Sequence, residues 1–219
     1  MAFRAALFDL DGTILDSAKC GELAMQEAFA DRGFRVPHAA EILHWMGIPI
    51  EESFPALAGR HLPNSELDPL IDSFRASYRR HSEQHITVFK GVYELLVKLT
   101  AAGVALAIVT SKHSEVAFRN MASVGIDHFF SVVVGPDMVS RCKPFGDTAL
   151  QAMRLLELED GSGVIAIGDT SYDLEMGQAA AVSTCAVTWG AHSETQLLAA
   201  GPTFIVRTVE QLESVLLAA

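Results

Sequence analysis

The sequence contains few cysteines. Cys20, Cys142 and Cys185 are the three among 219 residues, they lie far apart, and their number is odd. A disulfide framework needs paired cysteines and an oxidising compartment. The pattern therefore favours reduced thiols in a cytosol, where each cysteine serves as a small packing residue.

Basic runs, long apolar runs and a secretory leader are absent as well. The 16 basic residues face 27 acidic ones, which gives a formal net charge of −11 and argues against attraction to nucleic acid or to an anionic membrane. No apolar stretch reaches the length of about 20 residues that a membrane span requires. The N-terminus lacks the apolar core and the cleavage pattern of a signal peptide. We expect a cytoplasmic protein without nucleic-acid or membrane partners.

The composition is that of a globular protein. Hydrophobic residues make up 50% of the chain and charged residues 20%, so the chain can bury a full core and a small second domain. The sequence contains no internal repeat and does not indicate an oligomeric state.

The first strand is the most informative stretch. The apolar run from Ala5 ends in Asp9-Leu10-Asp11-Gly12-Thr13, and Gly12 allows a tight turn. Residues i and i+2 of an extended chain point the same way, so both carboxylates can enter one site. Parallel α/β sheets bind ligands at the carboxyl ends of their strands.

Apolar strands alternate with helices from about Val88 onward. The pattern predicts strands over 104–109, 132–134, 164–167, 182–187 and 204–206. A helix over 91–102 ends before Gly103, and Asp147 and Ser171 are expected to cap two later helices. Repeated β-then-α units with fully apolar strands predict an α/β fold, a Rossmann-like doubly wound parallel sheet covered on both faces.

Residues 17–89 lack strand alternation. Alanine-rich amphipathic stretches are interrupted there by prolines, which predicts an all-helical insert. We expect a core domain of residues 1–15 and 89–219 and a helical domain of residues 16–88.

Polar side chains follow several of the predicted strands. They are Asp9 and Asp11, Thr110 and Ser111, Lys143, and Asp169 with Asp173. The carboxyl ends of parallel strands share one edge of the sheet, so these groups can converge. Four carboxylates would repel one another unless a cation shared them, and oxygen ligands suit Mg²⁺. A lysine and a hydroxyl beside that ion make a site for a phosphoryl group.

Each residue also has a simpler interpretation. Aspartates at strand ends cap turns and helices, threonine is common at a strand terminus, and a loop lysine is usually solvated. Asp173 suits the first turn of a helix. The combination of all of them favours catalysis. Lys112 and Tyr172 we interpret as an exposed charge and a packing residue.

These motifs resemble those of the haloacid dehalogenase superfamily of phosphotransferases. Asp9–Thr13 resembles the first motif, Thr110 the second, Lys143-Pro144 the third, and Gly168–Thr170 with Asp173 the fourth. The helical insert is similar to the small cap of the phosphoglycolate phosphatase and sugar-phosphate mutase branch. The resemblance implies a cap that closes over the site and selects the leaving group.

The resemblance also implies a mechanism. Asp9 would attack phosphorus and form an aspartyl-phosphate, while Asp11 would protonate the leaving oxygen and later deprotonate water. Mg²⁺ would be bound by Asp9, by the backbone carbonyl of Asp11 and by Asp169, with Asp173 orienting a water or Lys143.

The phosphoryl oxygens would be held by donors on two strand ends. These donors are Thr110 and the backbone N–H groups of Asp11 and Ser111, and Lys143 would offset the charge on Asp9 and the phosphate. We expect a Mg²⁺-dependent phosphatase acting on a small phosphate ester such as phosphoglycolate. The alternatives are a β-phosphoglucomutase-like sugar phosphomutase and a phosphorylatable switch without turnover.

Three differences from the mutases favour water as the acceptor. Ile50 stands where they carry an arginine, Gly21 where they tend to carry a histidine, and Thr13 where they carry a valine. The cap residues that could contact the leaving group are Lys19, His44, Trp45 and Arg60, with Lys19 and Arg60 as candidate cations for an anionic substrate.

Overall fold

The computed structural model describes residues 3–218. Within this range eight strands form, and in chain order they are β1 (Ala5–Phe8), β2 (Leu15–Asp16), β3 (Thr87–Val88), β4 (Ala105–Val109), β5 (Val132–Val134), β6 (Val164–Gly168), β7 (Ser183–Val187) and β8 (Phe204–Val206). Six of them make one sheet in the order β5-β4-β1-β6-β7-β8, and every neighbouring pair is parallel. The strands β2 and β3 pair antiparallel in a separate ribbon.

Ten α-helices occupy the same described range. They are α1 (Ala18–Asp31), α2 (Ala39–His44), α3 (Ile50–Leu57), α4 (Asn64–His85), α5 (Val92–Ala101), α6 (Ser114–Ser123), α7 (Asp147–Leu155), α8 (Ser171–Ala179), α9 (Glu194–Ala199) and α10 (Val209–Leu217). Helices α5–α10 alternate with the strands of the large sheet, whereas α1–α4 all lie between β2 and β3. Of the helices in residues 3–218, none has the length and apolar character needed to cross a membrane.

The side chains of the central strands alternate between two apolar layers. On β1, Ala6 and Phe8 join one buried cluster, while Ala5 and Leu7 join another. The first cluster includes residues of α5, α6 and α10, and the second includes residues of α7 and α8. The predicted α/β fold with helices on both faces of a parallel sheet is therefore confirmed.

The register of the sheet brings the strand ends into line. Phe8 lies opposite Ile108 on β4 and Ile167 on β6. Because the three strands run parallel and in step, the residues just beyond them reach the same edge of the sheet.

The predicted bounds of the elements agree with the structure to within a few residues. The helix over 91–102 is observed as α5, the four residues of its apolar stripe are buried, and Gly103 takes a positive φ of 76° just after it. The two expected caps were wrong. Thr170, with an extended backbone, occupies the cap position of α8, and Ser171 is its first helical residue. Gly146 holds the cap position of α7, and the Asp147 carboxylate accepts hydrogen bonds from Arg141.

Helices α1–α4 bury an apolar cluster of their own. The ring of Phe29 packs edge-on against Phe54 at 5.5 Å between ring centroids, within a cluster that includes Ile42 and Leu70. The insert is not wholly helical, because β3 and the end of β2 pair at its base. Each of these strands has two residues, too few for an alternation to appear in the sequence. The division into domains at residues 15/16 and 88/89 stays a prediction.

Candidate active site

Asp9 and Lys143 form a buried ion pair at the edge of the sheet. Asp9 directly follows β1, and Lys143 lies in the loop that precedes α7. The Lys143 ammonium is 2.5 Å from Asp9 Oδ1 and also donates to Asp173 Oδ1, with only 2% of its side chain exposed. Burial disfavours the ammonium form, but the charges of Asp173 and Asp9 outweigh that effect, so the pKa of Lys143 lies above its ordinary value.

Asp169 and Asp173 are held rigidly by their neighbours. Asp169 Oδ1 accepts from the Thr13 hydroxyl at 2.9 Å, and Oδ2 accepts from the Ala191 N–H at 2.7 Å. Asp173 Oδ2 accepts from both the N–H and the hydroxyl of Thr170, at 3.0 and 2.7 Å. Both carboxylates are buried, so their oxygens are presented to the site in one orientation.

Three carboxylates converge on one point. Asp9, Asp169 and Asp173 each offer one oxygen, and these oxygens all lie within 4.8 Å of one another. Burial raises the pKa of Asp9 well above its ordinary value; Lys143 opposes this shift, and the charges of Asp173 and Asp169 add to it. Burial and the charge of Asp173 raise the pKa of Asp169 to about 7. The cluster contains three carboxylates, and the ammonium of Lys143 pairs with two of them, so negative charge is in excess.

The donor set of this cluster fits a hard divalent cation. Carboxylate oxygens are the ligands that Mg²⁺ prefers, and a cation would offset the burial and the carboxylate repulsion that raise both pKa values. The space beside Asp169 is kept by two glycines: a Cβ at Gly12 would lie 2.3 Å from Asp169 Oδ2, and one at Gly190 would lie 2.1 Å from the same atom. Asp173 was expected to orient a water or Lys143 rather than to bind the ion, but one of its oxygens belongs to the cluster.

Three residues that line one cavity with Asp9 carry hydrogen-bond donors. The Thr110 hydroxyl oxygen accepts from the Lys112 N–H at 3.1 Å, which leaves its own hydrogen available. Within residues 3–218, the backbone N–H groups of Asp11 and Ser111 donate no hydrogen bond to the protein. The Ser111 hydroxyl instead donates to the carbonyl of Gly47 at 2.7 Å and joins the strand end to the insert. These donors suit the binding of phosphoryl oxygens.

The side chain of Asp11 lies apart from the carboxylate cluster. Its Oδ1 accepts from the hydroxyl of Ser17 and from the Lys112 ammonium, the latter at 2.6 Å. Lys112 in turn donates to the Tyr78 hydroxyl at 2.7 Å. The interpretation of Lys112 as an exposed charge was therefore wrong: its side chain is 15% exposed and is paired with Asp11.

A cavity of about 260 Å³ lies between the sheet edge and the helical insert. Asp9, Asp11, Thr110, Ser111 and Asp169 line its floor. Helices α1–α4 and the loops between them supply most of the rest, and much of that surface is apolar. The residues predicted from four separate motifs are thus brought to one place, with Lys143 in contact with both Asp9 and Asp173.

Of the four candidate residues on the insert, Trp45 lines the cavity and the other three do not. Lys19 pairs with Glu22, and Arg60 pairs with Glu66 on the outer surface. The cations that line the cavity on the insert side are instead Arg75 and Arg79 of α4, facing Arg119 of α6. Neither motifs nor composition pointed to these arginines, although the spacing of four between Arg75 and Arg79 places them on one helical face.

Tyr172 has the packing role that was predicted. Its ring lies against the imidazole of His192, with 5.6 Å between ring centroids. His192, which was not singled out, accepts a hydrogen bond at Nδ1 from the Ser171 N–H over 3.0 Å, and its backbone N–H donates to the backbone carbonyl of Asp169. His192 thereby helps to fix the loop that carries Asp169.

Comparisons with known proteins agree with the motifs. The profile of the haloacid dehalogenase-like hydrolase family matches residues 6–187. The probable phosphatase IndB of Dickeya dadantii is 31% identical over 208 residues, which cover 94% of this chain and 90% of that protein. The pyrophosphatase PpaX of Listeria monocytogenes is 30% identical over 214 residues, covering 94% of this chain and 93% of that protein.

Solved structures share the whole architecture. A candidate phosphoglycolate phosphatase of Lactobacillus delbrueckii subsp. bulgaricus superposes with a TM-score of 0.87 at 26% identity, covering 100% of both chains. A haloacid dehalogenase-like hydrolase of Streptococcus pneumoniae superposes with a TM-score of 0.85 at 27% identity, covering 97% of this chain and 98% of that one. The helical insert is therefore part of the shared fold.

Proposed function

This chain belongs to the haloacid dehalogenase-like hydrolase family, and we propose that it is a Mg²⁺-dependent phosphatase that hydrolyses a small phosphate ester through an aspartyl-phosphate. The observation that carries the proposal is the position of Asp9. Its carboxylate pairs with a buried lysine, belongs to a cluster of three carboxylates, and lines a cavity together with residues that carry unused hydrogen-bond donors. This is the arrangement that a nucleophile for a phosphoryl group requires.

Asp9 is the proposed nucleophile. Attack by its carboxylate on phosphorus forms the Asp9–phosphoryl bond as the bond to the leaving oxygen breaks. Lys143 lowers the repulsion between the Asp9 carboxylate and the dianionic ester, and Thr110 with the N–H groups of Asp11 and Ser111 binds the phosphoryl oxygens as charge develops on them. Water then attacks the same phosphorus and returns Asp9 to its carboxylate form.

Asp11 is the proposed general acid and base. It gives a proton to the leaving oxygen in the first step and takes one from the attacking water in the second. Asp11 lines the cavity beside Asp9, which suits both tasks. A switch that is phosphorylated without turnover would need no such acid, so this residue favours turnover.

Mg²⁺ would be held by Asp9 and Asp169, with Asp173 and the backbone carbonyl of Asp11 as further oxygen donors. When bound, the ion would neutralise charge on the phosphoryl group and on the carboxylates that surround it. The fit rests on the three convergent oxygens and on the raised pKa values of Asp9 and Asp169.

The leaving group is proposed to carry an anion of its own. Arg75, Arg79 and Arg119 line the cavity, and within residues 3–218 neither Arg79 nor Arg119 has a carboxylate partner within 4.0 Å. A carboxylate or a second phosphate on the leaving group would supply that partner. Phosphoglycolate meets this requirement among monoesters, and pyrophosphate, named for the Listeria relative, meets it as a phosphoanhydride.

A sugar phosphomutase of the same family is the alternative. The resembling mutases carry an arginine where Ile50 stands, and here the apolar Ile50 lines the cavity. The apolar Ile50 cannot take over the contact that this arginine makes in the mutases. This difference from the mutases favours water as the acceptor of the phosphoryl group.

The test is release of inorganic phosphate with Mg²⁺ and with EDTA. The panel contains phosphoglycolate, pyrophosphate, a sugar phosphate, a nucleoside monophosphate and p-nitrophenyl phosphate. We expect Mg²⁺-dependent release, with kcat/KM of about 10⁴ M⁻¹s⁻¹ or more for the preferred substrate. Isomerisation of β-glucose 1-phosphate without phosphate release would support the mutase instead.

The nucleophile has its own test. Asp9→Asn removes the attacking oxygen charge while keeping the size of the side chain, so hydrolysis and phosphoenzyme formation should both be lost in a protein with an unchanged circular dichroism spectrum. Phosphatase activity retained in a folded Asp9→Asn sample, verified by mass spectrometry, would refute the assignment.

A further inference from the structure

The two oxygens of the Asp11 carboxyl group have different surroundings. Oδ1 receives both hydrogen bonds, from the Ser17 hydroxyl and from the Lys112 ammonium. Within residues 3–218, no hydrogen bond from the protein reaches Oδ2. Because the residue lines the cavity, the group is anchored through one oxygen and keeps the other for a ligand.

The anchoring lysine is itself fixed by the helical insert. Lys112 Nζ lies 2.7 Å from the hydroxyl of Tyr78 on α4, and that hydroxyl also accepts from Asn120 Nδ2 of α6 at 3.0 Å. Tyr78 is 8% exposed. A chain of buried contacts thus runs from the core helix α6, through the insert helix α4, to Asp11.

Resting on the function proposed above, we propose that Lys112 and Tyr78 are positioning residues that select Asp11 Oδ2 as the atom that transfers the proton. Two donors on Oδ1 make it the carbonyl-like oxygen of the protonated acid, since neither an ammonium nor a donating hydroxyl leaves room for a proton there. The hydrogen on Oδ2 then faces the cavity. Tyr78 belongs to the insert, so the position of α4 affects the direction in which Asp11 Oδ2 points.

The proton balance of the reaction follows from this geometry. Asp11 Oδ2 gives its proton to the ester oxygen as the bond between phosphorus and that oxygen breaks and the Asp9–phosphoryl bond forms. The resulting Asp11 carboxylate, paired with Lys112, takes a proton from water as the water oxygen bonds to phosphorus and Asp9 leaves. Hydrogen phosphate departs, and Asp11 ends protonated on Oδ2 as it began.

The leaving group provides a specific readout. Expulsion of an alkoxide needs the acid, whereas the acidic phenol of p-nitrophenyl phosphate leaves with little protonation. The value of kcat/KM covers steps only through the first irreversible one, which here is loss of the leaving group. A defect in positioning the acid therefore lowers kcat/KM for phosphoglycolate much more than for p-nitrophenyl phosphate, and a general loss of structure lowers both equally.

The experiment compares both substrates in the unsubstituted protein, Lys112→Met and Tyr78→Phe. Lys112→Met should lower kcat/KM for phosphoglycolate by about 10²-fold and that for p-nitrophenyl phosphate by less than about 5-fold, since a misplaced catalytic group forfeits its general-acid contribution. Tyr78→Phe keeps the ring and removes the hydroxyl, so it should shift the ratio in the same direction by about 3- to 10-fold. Lys98→Met, in an exposed pair with Glu213, is the matched control and should leave the ratio unchanged.

Equal losses on the two substrates in Lys112→Met, or an unchanged ratio in folded Tyr78→Phe, would overturn the positioning role. If Lys112→Met fails to fold, Tyr78→Phe decides the question, because its phenyl ring fills the same space. If another alkyl phosphate of the panel is the preferred substrate, it replaces phosphoglycolate in this comparison. An unsubstituted protein that released phosphate from no member of the panel would refute the proposed function first and this inference with it. The inference alone fails if the unsubstituted protein is active and both variants keep its ratio of kcat/KM for the two substrates.

Discussion

Replacing Lys143 by methionine would remove the positive charge from the carboxylate cluster. The lysine is buried, lies 2.5 Å from Asp9 and also contacts Asp173. Methionine keeps most of the side-chain volume, so the change is mainly electrostatic. Removal of one partner from a buried ion pair costs about 3–5 kcal/mol, because the other charge is left buried and unpaired. We expect metal-free Lys143→Met to lose about that much free energy of unfolding at pH 8.

The loss should depend on pH and on the cation. Burial already raises the pKa of Asp9, and removal of Lys143 raises it further, so protonation can neutralise the cluster and the loss should shrink as the pH falls towards 5. Mg²⁺ should also reduce the loss, since it supplies the missing positive charge. Catalysis should still fall, with kcat/KM lower by about 10²-fold or more, because Lys143 no longer stabilises the charge of the transition state.

Urea denaturation, followed by circular dichroism in EDTA at pH 5.5 and pH 8, measures the stability, and phosphate release measures the activity. Lys98→Met is the control, because Lys98 pairs with Glu213 at 2.8 Å while 53% of its side chain is exposed; an exposed pair contributes less than about 1 kcal/mol. A Lys143→Met protein as stable at pH 8 as the unsubstituted one, and as active, would refute the charge balance inferred for the site.

Three further predictions concern the cation and the substrate. The folded-state pKa of Asp169 is raised to about 7, so the metal-free protein should lose stability as the pH rises through that value. Mg²⁺ at about 100 Kd should add about 2.7 kcal/mol to the free energy of unfolding. Melting temperatures that change neither with pH nor with Mg²⁺ would contradict this. Arg79→Met and Arg119→Met should each raise KM for phosphoglycolate about 10-fold, and an equal rise for p-nitrophenyl phosphate would argue against a contact with the leaving group. Gly12→Ala should weaken Mg²⁺ binding in calorimetry, because its Cβ would lie 2.3 Å from Asp169 Oδ2 and its φ is +84°; Gly33→Ala, also at positive φ but with open space around it, is the control.

The sequence by itself determined the sheet and the set of residues at its edge. Fully apolar strands can be buried only in a sheet covered on both faces, and parallel strands in step must end at one edge. For that reason Asp9, Thr110 and Asp169 could be placed together from their positions after β1, β4 and β6, although they are far apart in the chain. Lys143 was grouped with them because its loop follows the strand predicted over 132–134, and the resemblance to a known motif then implied its role beside Asp9.

Only the tertiary structure decided which cations line the cavity. Lys112 was interpreted as an exposed charge because its partners, Asp11 and Tyr78, are 101 and 34 residues away. Arg75 and Arg79 line the cavity, whereas Lys19 and Arg60 point to the outer surface. The face that a helix turns towards a cavity depends on how the helices of the insert pack on one another and on the core. The sequence of one helix does not contain that information, because packing is a property of several segments at once.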